Sequence, residues 1–259
     1  MICFLTDEHT NSFIKATSFD ITAGARIFSL YNMFGANYEH AMFWVQINEL
    51  GVAVAALSRY GGILNISASQ NADLAEINEF TEFIGGFERI CSSHFVCESL
   101  QKSCKCFPVM ELADDTKALS NKKICATPKL QDVYSLLCLC DDDFAGQTNW
   151  ESWYVHTSHL LRHGLGFCAG IYINDTLVST AGVYAKGTAH AVISGVATLP
   201  NFRGKGYASA VINAAAKKSL SESLMPVILS ANSKLEKWYE TMGFAVAGKF
   251  CEASLRELI

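Results

Sequence analysis

The sequence predicts an α/β (α+β) chain in two halves, each built of strands interleaved with helices. Two observations carry this. The second half reads β-α-α-β-β-β-α-β-α-β from its hydrophobic periods, and part of that order recurs upstream. A polar stretch, Asp114-Asp115-Thr116-Lys117 through Asn121-Lys122-Lys123, separates two apolar regions. It sets the expected domains at 1–117 and 118–259.

In the first half, residues 21–33 have helical spacing. Residues 43–47 and 52–57 form a hairpin around Asn48-Glu49-Leu50-Gly51. A strand at 63–67 precedes a helix at 72–84, which stops at Gly85-Gly86. A strand at 89–92 and a short helix at 94–102 follow. In the second half, 123–126 reads as a short strand. Pro128 then suits the first turn of a helix that carries Val133, Leu136, Leu137 and Cys140 on one face. The acidic run Asp141-Asp142-Asp143 ends it, and a second helix spans 149–163. Strands at 166–173 and 177–184 flank an Asn174-Asp175 turn, the signal of an antiparallel hairpin. A third strand covers 189–199 and runs into a glycine-rich turn and a helix at 207–220. A strand at 226–230, a helix at 232–242 stopped by Gly243, and a strand from Phe244 complete the order.

Half of the 259 residues are hydrophobic and 17% are charged, which excludes a disordered chain. The net charge of −5 argues against a nucleic-acid partner. No apolar run reaches the roughly 18 residues of a membrane helix. The N-terminus lacks the features of a secretion signal, so the expectation is a cytoplasmic protein with no membrane partner. Ten cysteines then read as free, small hydrophobes. The pairs Cys104-Lys105-Cys106 and Cys138-Leu139-Cys140 lack the C-x2-4-C spacing of zinc sites, and no metal is expected.

The most informative run is Val192-Ile193-Ser194-Gly195-Val196-Ala197-Thr198-Leu199-Pro200-Asn201-Phe202-Arg203-Gly204-Lys205-Gly206-Tyr207-Ala208. A strand feeds a turn with two glycines, and the turn opens a helix. Backbone N–H groups at a helix start hold phosphate, and Arg203 and Lys205 add positive charge. Neither the Walker A pattern nor G-x-G-x-x-G is present. The run instead resembles the R/Q-x-x-G-x-G/A signature of the GNAT acetyltransferase superfamily, with Val196, Thr198 and Pro200 as its V-x-T-x-P approach. A second segment, Asn232 followed by Tyr239 and Gly243-Phe244, resembles that family's N-x-x-A-x-x-x-Y-x-x-x-G-F, with Leu235 in place of the small residue.

The resemblance implies a GNAT-like second half, a mixed central sheet flanked by helices, with acetyl-CoA as cosubstrate. Val196, Ala197 and Thr198 would meet the pantetheine arm through backbone groups. Arg203, Gly204, Lys205, Gly206, Tyr207 and Ala208 would hold the diphosphate, Asn232 would contact the cofactor, and Tyr239 would protonate the leaving thiolate. The implied activity is N-acetyl transfer to a primary amine by direct attack in a ternary complex. The alternative is a non-catalytic acyl-CoA-binding regulatory module. No general base is named: His190, Ser194 and Glu151 are weak candidates, and water would serve. Trp150, Trp153, Tyr154, His156, His159 and His163 crowd the segment expected beside the acceptor. The acceptor class stays open between small molecules and peptides, and so does a homodimer. The first half reads as a degenerate GNAT-like domain without a cofactor site. At the place of the glycine turn it has Ala68-Ser69-Gln70-Asn71-Ala72-Asp73, with no glycine or basic residue and a carboxylate that would repel phosphate.

Overall fold

A computed structural model describes residues 1–36, 39–114 and 122–254. The backbone contacts divide it into two units. The first holds Met1–Val109, Gly187–His190 and the described residues from Ala247 on; the second holds Met110–Lys186 and Ala191–Val246. This moves the expected boundary at residue 117. The division falls inside a strand, β6 (Cys104–Leu112), that the periodicity of the sequence does not announce. The last strand, β11 (Phe244–Ser254), likewise contributes residues to both units. Most of the polar stretch expected as a linker lies outside the described residues.

In the first unit the strands run in the order β1 (Ile2–Phe4), β2 (Met42–Ile47), β3 (Ala53–Tyr60), β4 (Ile63–Ala68), β5 (Arg89–Ser93), β11. Strand side chains alternate between faces, and both faces are covered. Phe43 and Val45 pack with Phe13 of α1 (Thr10–Ala16) and with Ile27 and Leu30 of α2 (Ile21–Phe34). Trp44 and Leu57 pack with Ile77 of α3 (Leu74–Ile84) and Val96 of α4 (His94–Ser99). The β2–β3 hairpin closes as expected: Asn48 Oδ1 accepts from the N–H groups of Leu50 (3.1 Å) and Val52 (2.9 Å). Cys106 of β6 and Cys251 of β11 form a disulfide, so the expectation that every cysteine is free fails for this pair. The partners are 145 residues apart in sequence but 4.1 Å apart at Cα, a proximity that only tertiary structure creates.

In the second unit the order is β6, β10 (Met225–Leu229), β9 (His190–Thr198), β8 (Thr176–Lys186), β7 (Phe167–Ile173). Ala169 and Ile171 of β7 pack on the α8 side (Tyr207–Ser221), whereas Cys168 and Tyr172 pack on the side of α5 (Leu130–Cys140). Small residues on α8, Ala210, Ala215 and Ala216, let it lie close to the sheet. Asn174 and Asp175 both take positive φ, 48° and 62°, the left-handed pair a two-residue hairpin turn requires. The expected strand at 123–126 is reduced to one bridge, Cys125 to Gly170. Asp141 ends α5 and also caps a short helix, α6 (Asp142–Gln147), by accepting from Phe144 N–H. Asn149 caps α7 (Trp150–Arg162). Among the described residues no helix is long and apolar enough to cross a membrane.

Candidate active site

The site begins with an irregularity in β9. Thr180 pairs with Ala197 and Gly182 with Ser194, so three steps along β9 match two along β8. The extra residue is a β-bulge at Gly195–Val196, which withdraws a backbone amide from the ladder. Gly195 has φ 59°, a left-handed conformation glycine adopts without strain. A Cβ there would also sit 3.0 Å from the Tyr184 ring. Tyr184 is the compensating extra residue of β8, between the pairs Val183–Ile193 and Ala185–Val192. Its hydroxyl donates to Cys168 Sγ at 3.3 Å, and burial pushes its phenol well above the ordinary value.

Beyond the end of β9 comes the glycine turn. Pro200–Phe202 make one 3-10 turn. Arg203 Nε donates to the Thr198 carbonyl at 3.1 Å, tying the turn to the strand end. Lys205 Nζ donates to the Asn201 carbonyl at 3.0 Å. Gly204 and Gly206 have φ 72° and 73°. A Cβ at Gly204 would meet nothing within 4 Å, so glycine answers to backbone conformation here and not to crowding. Gly206 is the N-cap of α8 and brings no side chain to cap it. The first N–H groups of the helix are therefore left for a ligand, with the positive end of the helix dipole behind them. Lys122 Nζ stands 4.3 Å from the Tyr207 ring centre and adds a third cation to Arg203 and Lys205. A cavity of about 240 Å³ opens at this turn, lined by Thr198, Arg203, Gly204, Gly206, Tyr207 and Ala208 together with Phe202, Ser209 and Trp238. Arg203 in the lining, Lys205 and Lys122 beside it, the uncapped helix start and a lining without carboxylates among the described residues suit a diphosphate.

The opposite wall comes from α9 (Ser233–Thr241). Asn232 Oδ1 accepts from Lys234 N–H (3.1 Å) and Leu235 N–H (3.0 Å), so the side chain expected on the cofactor caps the helix. Such a cap is worth about 1 kcal/mol. Neighbouring positions on the helix point differently: Trp238 lines the cavity, and Tyr239, 4% exposed, lies in the core with Met242 and Phe244. Burial pushes the Tyr239 phenol up to about 12.

The structure thus gathers Thr198, Arg203, Gly204, Gly206, Tyr207 and Ala208 around one cavity. Val196 and Ala197 stand upstream at the bulge, and Lys205, Asn232 and Tyr239 lie outside the lining. The sequence reading gives no site role to Trp238, Phe202 or Gly195. Only Gly195 had a signal, since a lone glycine inside a strand pattern marks a bulge. Of the candidate bases, Ser194 is exposed beside the bulge, Glu151 is exposed at the start of α7, and His190 opens β9 in the first unit. Trp150 meets Tyr134 edge-on, and tilted ring contacts join Trp153 to Tyr134 and Trp150 to Tyr154. His159 and His163 rings lie 4.3 Å apart, and burial together with His159 lowers the pKa of His156. In the first unit, the helix that follows the corresponding turn is capped differently: Asp73 Oδ1 accepts from Glu76 N–H at 3.0 Å.

Residues 130–244 match the model of the Acetyltransferase (GNAT) family. Among solved structures, a Drosophila protein shares 10% identity at a TM-score of 0.72, covering 98% of each chain. A tandem GNAT protein of the clavulanic acid biosynthesis pathway shares 12% at 0.63, again covering 98% of each chain. An acetyltransferase from the GNAT family of Colwellia psychrerythraea shares 13% at 0.62, covering 98% of this chain and 99% of that one. At these identities the likeness is one of fold. No curated protein matches the chain. The two sequence segments, the bulged strand with its uncapped glycine turn, and the family match converge on residues 130–244: this part of the chain is a GNAT acetyltransferase domain, an acyltransferase whose cosubstrate is acetyl-CoA.

Proposed function

We propose that the chain moves the acetyl group of acetyl-CoA to a primary amine by direct attack while both are bound. The observation that supports this best is the placement of two amide-rich features on one run of chain: the bulge at Gly195–Val196 and the uncapped start of α8 at Gly206. The α8 amides of Tyr207 and Ala208, with those of Gly204, Lys205 and Gly206, would hold the diphosphate, and Arg203 adds charge. Backbone groups of Val196, Ala197 and Thr198 would align the pantetheine arm, and Asn232 would shape its approach by fixing the start of α9.

The cosubstrate supplies an activated acyl thioester. The nitrogen lone pair of the amine forms a bond to the thioester carbon, and the carbonyl electrons move onto oxygen. The Val196 N–H, at the bulge where the β8–β9 register shifts, would receive that developing charge. Collapse breaks the carbon–sulfur bond, and the sulfur leaves as thiolate. Tyr239 is protonated at neutral pH, and burial, by raising its pKa to about 12, makes it a still weaker acid. An ordinary thiol has a pKa near 8.5, so full transfer from such a phenol runs uphill. The role proposed for Tyr239 is therefore hydrogen-bond donation to the departing sulfur, with the final proton from water or the amine product.

The test is CoA release from acetyl-CoA by the whole chain across a panel of small amines, amino acids and peptide N-termini. At least one amine should raise release well above hydrolysis and appear as its acetamide by mass. CoA binding with no amine-dependent release across the panel would overturn the transferase reading in favour of a non-catalytic acyl-CoA-binding module.

A further inference from the structure

We infer that, once the Cys106–Cys251 bond is reduced, the first unit presents a three-thiolate site for a soft metal ion, formed by Cys104, Cys106 and Cys251. Cys104 and Cys106 are two apart on β6, so strand alternation turns both to one face. Cys251 faces them from β11. The three sulfurs lie within 4.8 Å of one another, and Cys104 Sγ is 3.6 Å from Cys106 Sγ. A tetrahedral ion with metal–sulfur bonds of about 2.3 Å needs its sulfurs about 3.8 Å apart. Cys104 and Cys106 are already near that spacing, and Cys251 reaches it when the disulfide opens and its side chain turns.

Access fits the same conclusion. Cys104 and Cys106 are half-buried and Cys251 is buried, so the site has one open side. A further buried thiol, Cys97 of α4, stands 4.0 Å from the Cys251 carbonyl. Thiolate donors select zinc, cadmium or copper(I) over magnesium or calcium. The C-x-C spacing fails the sequence rule for zinc because the third ligand comes from a strand 145 residues away.

The redox step balances with a dithiol as reductant. It passes two electrons and two protons to the Cys106–Cys251 bond, which becomes two thiols, while the dithiol becomes a disulfide. Metal binding then releases thiol protons to solvent. Since the disulfide takes up two of the three ligands, oxidation and metal binding exclude each other.

The experiment titrates the full chain with cadmium(II) alone, after reduction by a dithiol and anaerobic removal of the reductant. Sulfur-to-cadmium charge-transfer absorption should saturate at one tight ion per chain, and the oxidised chain should show none of it. Cys104→Ser and Cys251→Ser should each weaken binding at least tenfold, whereas Cys138→Ser on α5 should leave it unchanged. Should Cys251→Ser fail to fold, the half-buried Cys104→Ser decides. Absence of tight binding by the reduced chain, wild-type affinity in Cys104→Ser, or loss of binding in Cys138→Ser would overturn the assignment.

Discussion

Two side chains carry expectations that single substitutions test. Tyr239→Phe keeps the ring in its place beside Trp238 and Phe244 and removes only the hydroxyl. If that hydroxyl donates to the leaving sulfur, kcat should fall about ten- to a hundredfold, the worth of a hydrogen bond to a charged group, with little change in the affinity for acetyl-CoA. Acyl donors with more acidic thiols should show a smaller deficit. Steady-state rates with a donor series measure this, and wild-type kcat in the folded variant would remove Tyr239 from the reaction. Asp20, the N-cap of α2, tests electrostatics instead. Its carboxylate accepts from Thr22 N–H (2.9 Å) and Ala23 N–H (2.6 Å), yet burial outweighs these bonds and raises its pKa from 3.8 to about 6. The folded state therefore binds this proton more tightly than the unfolded one. The stabilisation is full below about pH 4 and is lost as pH rises through about 6. Asp20→Asn keeps a good cap without the charge. Its Tm relative to wild type should rise between pH 4 and pH 7, and a difference that stays flat over that range would refute the buried charge.

Among the elements, those with local signals were legible and those defined by pairing were not. Asn232, Gly243 and the 3.6-residue period predict α9 within a residue or two, because caps and amphipathic faces are written locally. The Asn174-Asp175 turn predicts the β7–β8 hairpin for the same reason. Strands β1 and β6 escape notice. β1 has three residues and exists by pairing with β2, and Pro108 interrupts the β6 pattern. At the site, the glycine turn was readable because φ above zero favours glycine, whereas Trp238 was not, since only the packing of α9 turns it to the cavity. The start of α8 yields the prediction at this scale. Gly206→Asp would place a carboxylate, in a left-handed conformation costing about 1–2 kcal/mol, where the amides of α8 meet the diphosphate. CoA affinity by calorimetry should fall at least tenfold, about 1.4 kcal/mol, with the far-ultraviolet circular dichroism unchanged. A folded variant with wild-type affinity would mean the diphosphate lies elsewhere.

The molecule as a whole poses the question of how many cosubstrate sites its two units hold. Both units place helices on both faces of a sheet, and the likeness to tandem GNAT folds runs over 98% of the chain. The comparable helix starts differ in chemistry. At α8, Gly206 leaves the first amides uncapped among Arg203, Lys205 and Lys122. At α3, Asp73 occupies the Glu76 amide, and Gln46 Nε2 donates to the Asp73 carbonyl at 2.9 Å and to Glu76 Oε2 at 2.8 Å. A diphosphate arriving at α3 would have to displace that cap, worth about 1 kcal/mol, and would meet two carboxylates. The expected stoichiometry is therefore one CoA per chain. Calorimetric titration of the intact chain with CoA should give a single site, and the same titration of Gly206→Asp should uncover no second one. If the variant retained a saturable site of wild-type strength, or if wild type bound two, the first unit would be a binding domain after all. Asp73→Gly would then be the next substitution to examine, since removing the cap would strengthen binding there.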